Sequence, residues 1–180
     1  MRSKEPAPDP VASRFRQLVL PHLDAAYNYA RYLARDGTAA EDIVQDAFLR
    51  AWKGYYSCRG SEKSWLLAIV RNCFHDWTRV NRSFSVEADP LEEIAELAGD
   101  EEPEDVLLRG LDLAMLRDTI TRLPEPFREA LVLRELEELS YREIATLTAA
   151  PIGTVMSRLA RGRDMLSKLV LERGNEGMRS

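Results

Sequence analysis

Histidine and cysteine are scarce in this 180-residue sequence, which contains two of each. Cys58 and Cys73 form no CxxC pair, and His22 and His75 do not complete a metal-ligand cluster with them. Neither a zinc site nor a disulfide framework is indicated, so no metal or other cofactor is expected. Glycine-rich phosphate loops and a nucleophile beside a base are also missing, which argues against an enzyme with a small-molecule substrate.

Long apolar runs are absent as well. The first twenty residues, MRSKEPAPDPVASRFRQLVL, are polar, contain proline and lack the apolar core of a signal peptide. No later stretch approaches the roughly eighteen consecutive apolar residues of a membrane span. We therefore expect a cytoplasmic protein without membrane insertion. The composition, 45% hydrophobic and 31% charged, is that of a folded globular chain.

Acidic charge is concentrated in one segment of the chain. The net charge is −5, yet residues 83–108 hold ten acidic groups and no basic one, and both flanking parts have a basic excess. The segment also contains two prolines and the run GDEEPED, which are typical of a linker. The sequence thus predicts two lobes, 11–82 and 109–173, with mobile tails at 1–10 and 174–180. Whether the linker charge has a function or only solvates a spacer stays open.

Helical spacing dominates the N-terminal lobe. In TAAEDIVQDAFLRAWK, Thr38 and Glu41 have the spacing of a capping box, which predicts a helix start. The apolar face of this helix would comprise Ile43, Val44, Ala47, Phe48, Ala51 and Trp52. A second face would comprise Asp42, Gln45, Asp46 and Leu49. Taken alone, such a face is most simply solvated surface.

A second helix is predicted over SWLLAIVRNCFHDWTRVNR. Its apolar stripe would comprise Leu66, Ile69, Val70, Cys73, Trp77 and Val80. Its opposite side would present Asn72, His75, Arg79 and Arg82. Cations neutralise phosphates and aromatic rings stack on unpaired bases, so this face suits a melted DNA strand. A charged surface without a function is the alternative for this helix alone.

The C-terminal lobe has the order of a helix-turn-helix. An apolar helix over about 126–136 precedes Ser140 and Glu143, another capping box, and the turn TAAPIG leads into a longer helix. The buried face of that last helix would comprise Val155, Leu159, Gly162, Leu166 and Leu169, packed on Ile144, Ala145 and Leu147. Its outward face would comprise Met156, Ser157, Ala160, Arg161 and Asp164, flanked by Arg158 and Arg163. We expect an all-α fold of two small helical domains.

Three motifs resemble those of one family. SYREIATLTAAPIGTVMSRLARGR resembles region 4 of the extracytoplasmic-function sigma factors. AEDIVQDAFLRAW resembles the region 2 segment that binds the clamp helices of RNA polymerase, and SWLLAIVRN with the following helix resembles the part that melts and reads the minus-ten element. The resemblance implies a sigma region 2 bundle joined by an acidic flexible linker to a region 4 helix-turn-helix.

The implied function is that of an alternative sigma factor, which catalyses nothing itself. It would bind core RNA polymerase and promoter DNA in a stress or envelope response, and an anti-sigma factor would hold it inactive. The free protein would bind DNA poorly because its two lobes are loosely tethered, and polymerase would fix their spacing. The acidic linker would run toward the transcript channel of the polymerase.

The helix faces and the resemblance together assign residues to each contact. Polymerase binding would involve Asp42, Gln45, Asp46 and Leu49. Minus-ten binding would involve Arg71, Asn72, His75, Arg79 and Arg82. Minus-thirty-five binding would involve Thr154, Met156, Ser157, Arg158, Arg161 and Arg163. Met156 departs from the Lys or Arg of many relatives, and Ala160 from a larger residue, so two of these contacts are expected to be weaker or apolar.

A stand-alone helix-turn-helix regulator is the alternative. It would share the C-terminal motif but would need a ligand-binding or receiver domain. The N-terminal lobe shows neither the strand alternation nor the aspartate pocket of a receiver. Tight operator binding without polymerase would favour this alternative.

Overall fold

The computed structural model of the chain describes residues 10–82 and 113–177, and the regular elements in these two ranges are all helical. The N-terminal lobe contains α1 (Pro10–Leu18), a 3-10 turn (Leu20–His22), α2 (Leu23–Ala34), α3 (Gly37–Gly54), a second 3-10 turn (Tyr55–Ser57) and α4 (Glu62–Arg82). The C-terminal lobe contains α5 (Leu113–Thr121), α6 (Glu125–Leu131), a π-helical turn (Val132–Leu136), α7 (Tyr141–Thr148) and α8 (Ile152–Gly177). The all-α prediction is confirmed. The acidic segment 83–108 and the ends of both predicted tails, 1–9 and 178–180, lie outside the described residues.

The start of α3 differs from the prediction. Asp36, not Thr38, is the N-cap, and its side chain accepts a hydrogen bond of 2.7 Å from the backbone N–H of Ala39. Arg35 ends α2 in the left-handed conformation, with φ at 57°. Aspartate is as good an N-cap as threonine, and here it comes two residues earlier in the chain. The capping box at Thr38 and Glu41 is therefore wrong, although the helix itself is present.

Helices α2, α3 and α4 pack against one another as the bundle of the N-terminal lobe. Tyr29, Ile43, Leu66, Leu67 and Val70 are among its fully buried side chains. Each large apolar side chain removed from water stabilises the fold by about 1.5–3 kcal/mol. The packing of these residues therefore determines which side chains of α3 and α4 face the solvent.

Two residues of the predicted apolar faces are exposed. Val80 is 61% exposed in the last turn of α4. Trp52 is also exposed, although its ring contacts Phe15 of α1 edge-on, with the centroids 5.1 Å apart. Helical spacing places both residues on the apolar side, but burial also requires a neighbouring element that covers them.

The predicted helix-turn-helix is present, although Ala145 and Leu169 of its predicted buried faces are only half-buried. Glu143 donates its backbone N–H to Ser140 Oγ, and its carboxylate accepts the Ser140 N–H at 2.9 Å, which completes the predicted capping box. Ala149 then ends α7 with φ at 53°. Val155 and Leu159 of α8 are buried as predicted, with α8 packed on both α6 and α7. The capped turn and the packing of α8 therefore hold the start of α8 in a fixed position relative to α7.

The two lobes are packed against each other, contrary to the loose tether expected from the sequence. Helices α2 and α4 contact α6 and α7, and buried apolar residues of both lobes form one continuous cluster. Two acidic residues of the C-terminal lobe, Glu129 and Glu137, are buried and pair with cations of α4. In the sequence they are ordinary surface-type carboxylates, so no local pattern predicts that contact.

Among the described residues, none of the helices has the length and apolar content that crossing a membrane would require.

Candidate nucleic-acid interface

Helix α3 presents the predicted polymerase-binding residues along one side. Asp42 and Gln45 are exposed, Leu49 is 55% exposed, and Asp46 is about half-exposed. Their spacing of three and four residues places them on adjacent turns of the helix. The result is a large exposed apolar side chain beside two carboxylates, which suits a partner helix with both basic and apolar residues.

Arg50, which the sequence analysis did not single out, connects this side of α3 to α4. Its guanidinium lies 2.7 Å from Asp46 Oδ2 and 2.7 Å from Asp76 Oδ2 of α4. The hydrogen bond from Arg50 lowers the pKa of Asp76, while Asp76 and Asp46 raise that of Arg50. Asp76 also accepts from Arg79 at 2.9 Å. Ion pairs thus link Asp46, on the predicted polymerase-binding side of α3, to Arg79, on the predicted DNA-binding side of α4.

Helix α4 presents most of the predicted minus-ten residues to solvent. Asn72 and His75 are exposed, and Arg79 is 80% exposed despite its bond to Asp76. Arg82 is the last residue of α4, and its side chain lies outside the described residues. Three of the five predicted side chains are therefore placed where a DNA strand can reach them.

Arg71 is different, because its guanidinium pairs with the other lobe. Its Nε donates to Glu129 Oε1 at 2.8 Å, and the Arg71 side chain is only 21% exposed. Tyr29 donates its hydroxyl to the same oxygen, also at 2.8 Å. Burial disfavours the Arg71 cation, but Glu129 outweighs this effect and raises the pKa of Arg71. Burial, together with Glu129, raises the pKa of Tyr29 well above its usual value.

The start of α8 presents the predicted minus-thirty-five residues on the C-terminal lobe. Met156 is exposed, and Thr154, Ser157, Arg158 and Arg161 are half-buried. Ser157 donates its hydroxyl to the carbonyl of Thr154 at 3.0 Å. Exposed residues near the start of the second helix are the ones that reach base edges in a major groove.

Arg163 is held within its own lobe. Its Nε and one terminal nitrogen donate to Glu135 Oε1 at 3.1 and 2.6 Å. Glu135 belongs to the π-helical turn after α6, so the pair braces α8 against that turn. Arg163 would have to leave this carboxylate before it contacted a phosphate.

The described residues form a helical bundle and a helix-turn-helix. The bundle has one side with acidic and apolar residues and another side with polar residues. This combination is typical of a DNA-binding transcription factor that also binds a protein partner. The comparisons with known proteins narrow this class. The family model Sigma-70 region 2 matches residues 18–84, and the model Sigma-70, region 4 matches residues 113–166.

Curated relatives cover most of the chain. The RNA polymerase sigma-H factor of Pseudomonas aeruginosa is 34% identical over 163 residues, which cover 86% of this chain and 84% of that protein. The ECF RNA polymerase sigma-E factor of Escherichia coli (strain K12) is 35% identical over 138 residues, 72% of each chain. A solved sigma factor, RpoE in complex with the anti-sigma factor NepR from Bartonella quintana, is 29% identical with a TM-score of 0.69, covering 88% of this chain and 97% of that one.

The chain belongs to the extracytoplasmic-function sigma factors of the sigma-70 family. It is an alternative sigma factor, which binds core RNA polymerase and promoter DNA and directs transcription initiation. Sigma factors are not enzymes, so the expectation of a non-catalytic protein is confirmed by the family. The stand-alone regulator is not favoured.

Proposed function

We propose that the two lobes divide promoter recognition between them. Residues 11–82 bind the polymerase clamp through α3 and the minus-ten element through α4, and residues 109–173 bind the minus-thirty-five element through α8. The acidic segment 83–108 joins the two. This division is supported by the exposure of most predicted side chains on α3, of Asn72, His75 and Arg79 on α4, and of Met156 at the start of α8.

On the polymerase side, the residues are Asp42, Gln45, Asp46 and Leu49. Leu49 is the apolar anchor, since a large apolar side chain left 55% exposed gains most when a partner covers it. The carboxylates steer that partner and fix its register. A basic amphipathic helix of the polymerase clamp has the complementary chemistry.

Charge reversal tests this surface, and the structure selects the position. Asp46→Lys would also place a cation beside Arg50, because Asp46 lies 2.7 Å from it. Asp42→Lys avoids that problem, because Asp42 is exposed and forms no ion pair among the described residues. Its matched control is Asp24→Lys, which reverses an exposed aspartate in the first turn of α2, on another helix.

We expect Asp42→Lys to weaken binding to core polymerase by about tenfold or more, which corresponds to about 1.4 kcal/mol. Asp24→Lys should bind like the wild type. Titration of labelled protein with purified core measures both. Equal affinities for the two variants would show that α3 does not face the clamp.

On the DNA side, Arg71, Asn72, His75, Arg79 and Arg82 of α4 contact the minus-ten element. At the start of α8, Thr154, Met156, Ser157, Arg158, Arg161 and Arg163 contact the minus-thirty-five element. Met156 is exposed and apolar, so its contact is to a thymine methyl or a sugar rather than to a phosphate.

Substitution of Arg161 tests the second assignment. Arg161→Ala is expected to cost about 1–3 kcal/mol and to relax base choice at one position of the minus-thirty-five element. Arg122→Ala is the control, since Arg122 is exposed immediately after α5 and pairs with Asp118 in the last turn of that helix. Transcription by reconstituted holoenzyme from a randomised minus-thirty-five library reads out base choice. An unchanged preference for Arg161→Ala would refute the assignment.

The cellular location of this activity follows from that of RNA polymerase, to which the protein binds. The protein acts in the cytoplasm, where bacterial RNA polymerase works, and serves a stress or envelope response. An anti-sigma factor holds it inactive, an inference supported by the similarity to a sigma factor solved with the anti-sigma factor NepR.

A further inference from the structure

Asp76 is an acidic residue on the side of α4 that is proposed to bind minus-ten DNA. It lies four residues after Asn72 and three before Arg79, so the three side chains share one side of the helix on successive turns. The hydrogen bond from Arg50 lowers the pKa of Asp76, which therefore carries its negative charge at neutral pH. A bare carboxylate in this position would repel the phosphates of a DNA strand. The charge of Asp76 must therefore be compensated if α4 is to bind DNA.

Two arginines from different helices divide the Asp76 carboxylate between them. Arg50 of α3 donates from Nη1 to Asp76 Oδ2 at 2.7 Å, and Arg79 of α4 donates from Nη2 to Asp76 Oδ1 at 2.9 Å. Each carboxylate oxygen thus has its own guanidinium partner. Arg79 is mostly exposed, whereas Arg50 and Asp76 are about half-exposed. Arg79 is therefore the cation of this group that a DNA strand in solution reaches most easily.

The sum of these charges determines what this part of α4 presents to DNA. Asp76 between Arg50 and Arg79 leaves one positive charge over. Without Arg50, Asp76 would pair with Arg79 alone and cancel its charge. Asp46 also binds Arg50, at 2.7 Å, but it does so on the side of α3 that is proposed to face the basic residues of the polymerase clamp. Arg50 is thus the cation through which α3 can affect the charge of the DNA-binding side of α4.

We propose that Arg50 is a positioning residue for promoter recognition, which neutralises Asp76 from the neighbouring helix and so keeps the charge of Arg79 for the minus-ten strand. Its effect on DNA passes through Asp76 rather than through a DNA contact of its own. The inference rests on the proposed function of α4, and it adds a residue of α3 to the set on which minus-ten binding depends.

The test compares holoenzymes that are reconstituted with a saturating amount of each variant. Arg50→Gln removes the compensating charge, and the double variant with Asp76→Asn also removes the carboxylate that requires it. Arg122→Gln is the control, because it makes the same charge change at an exposed pair with Asp118 in the C-terminal lobe. Circular dichroism confirms folding, and titration of each labelled variant with core polymerase confirms assembly. Arg50→Gln should not weaken assembly, since Asp46 keeps its charge.

Fluorescence anisotropy gives the affinity of each holoenzyme for a fluorescent single-stranded oligonucleotide that carries the minus-ten element identified by run-off transcription. We expect Arg50→Gln to bind it about tenfold more weakly than the wild type, as for the loss of one charged contact. The slope of log affinity against log salt should become shallower by about 0.7, the value for one phosphate contact to a single strand. The double variant with Asp76→Asn should regain most of the lost affinity, and Arg122→Gln should match the wild type.

Wild-type affinity of Arg50→Gln for the oligonucleotide would overturn the proposal. A loss that Asp76→Asn does not restore would also overturn it, because an Arg50 that only holds α3 on α4 cannot be replaced by removing its partner. If Arg50→Gln does not fold, Asp76→Asn alone decides: it should bind the oligonucleotide at least as tightly as the wild type, and weaker binding would refute the neutralisation. The proposed function of α4 fails separately, when Arg79→Ala holoenzyme binds the oligonucleotide like the wild type.

Discussion

Replacing Ser140 with alanine removes the capping box of α7 and reports on how the two lobes unfold. Ser140 Oγ accepts the Glu143 N–H at 3.3 Å, and it donates to the Glu143 carboxylate at 2.7 Å. Loss of such a cap costs about 1 kcal/mol, within a range of about 0.5–2 kcal/mol. Because α7 is the first helix of the helix-turn-helix, we expect Ser140→Ala to lower the stability of the C-terminal lobe.

The fall in melting temperature depends on what unfolds together. For a C-terminal lobe that melts alone, a loss of about 1 kcal/mol lowers the melting temperature by about 4–8 °C, whereas for the whole chain the fall is about 2–4 °C. Because the two lobes are packed against each other, we expect the smaller fall in melting temperature, in a single unfolding transition of the whole chain. Calorimetry at neutral pH distinguishes the two.

The control and the pH dependence make the prediction specific. Ser167→Ala should not destabilise the chain, since Ser167 lies inside α8, donates only to the carbonyl of Arg163, and alanine is the better helix former. The backbone and hydroxyl of Ser140 lower the pKa of Glu143 from its usual 4.5. The ionised box therefore stabilises the fold above that pH and loses its effect as the pH falls through the lowered pKa. A Ser140→Ala variant that melts like the wild type at neutral pH would refute this reasoning.

Two further predictions concern buried positions. Gly162→Val should destabilise the chain by about 1–3 kcal/mol in chemical denaturation, because even a Cβ at this position would lie 3.0 Å from Leu131 Cδ1 and 3.4 Å from the Phe127 carbonyl oxygen; wild-type stability would show that α6 and α8 are not this close. Burial raises the pKa of the Cys73 thiol to about 12, so iodoacetamide at pH 8 should label the half-buried Cys58 well before Cys73; equal labelling rates in folded protein would contradict the packing of α4.

Local signals explain which parts of the fold could be predicted. Ser140 and Glu143 are three residues apart, so the sequence alone shows both partners of the capping box. The buried face of α8 was likewise predictable from its spacing. At α3 the same reasoning failed, because Asp36 and Thr38 are both good caps and the choice depends on the turn that Arg35 makes.

The contact between the lobes shows what the sequence does not encode locally. Tyr29 and Glu129 are one hundred residues apart, and nothing near either residue indicates its partner. Arg71 has the position of a DNA-binding residue on α4, yet in the structure its guanidinium pairs with the carboxylate of Glu129. Arg50 was missed for a similar reason, since only the packing of α3 on α4 brings Asp76 to it.

Run-off transcription with purified core polymerase over a promoter library tests the central claim most directly. The account predicts promoter-specific transcripts only when this protein is added, with a shared minus-ten and minus-thirty-five element upstream of the start sites. Transcripts that are the same with and without the protein, or tight sequence-specific DNA binding by the protein alone, would contradict it.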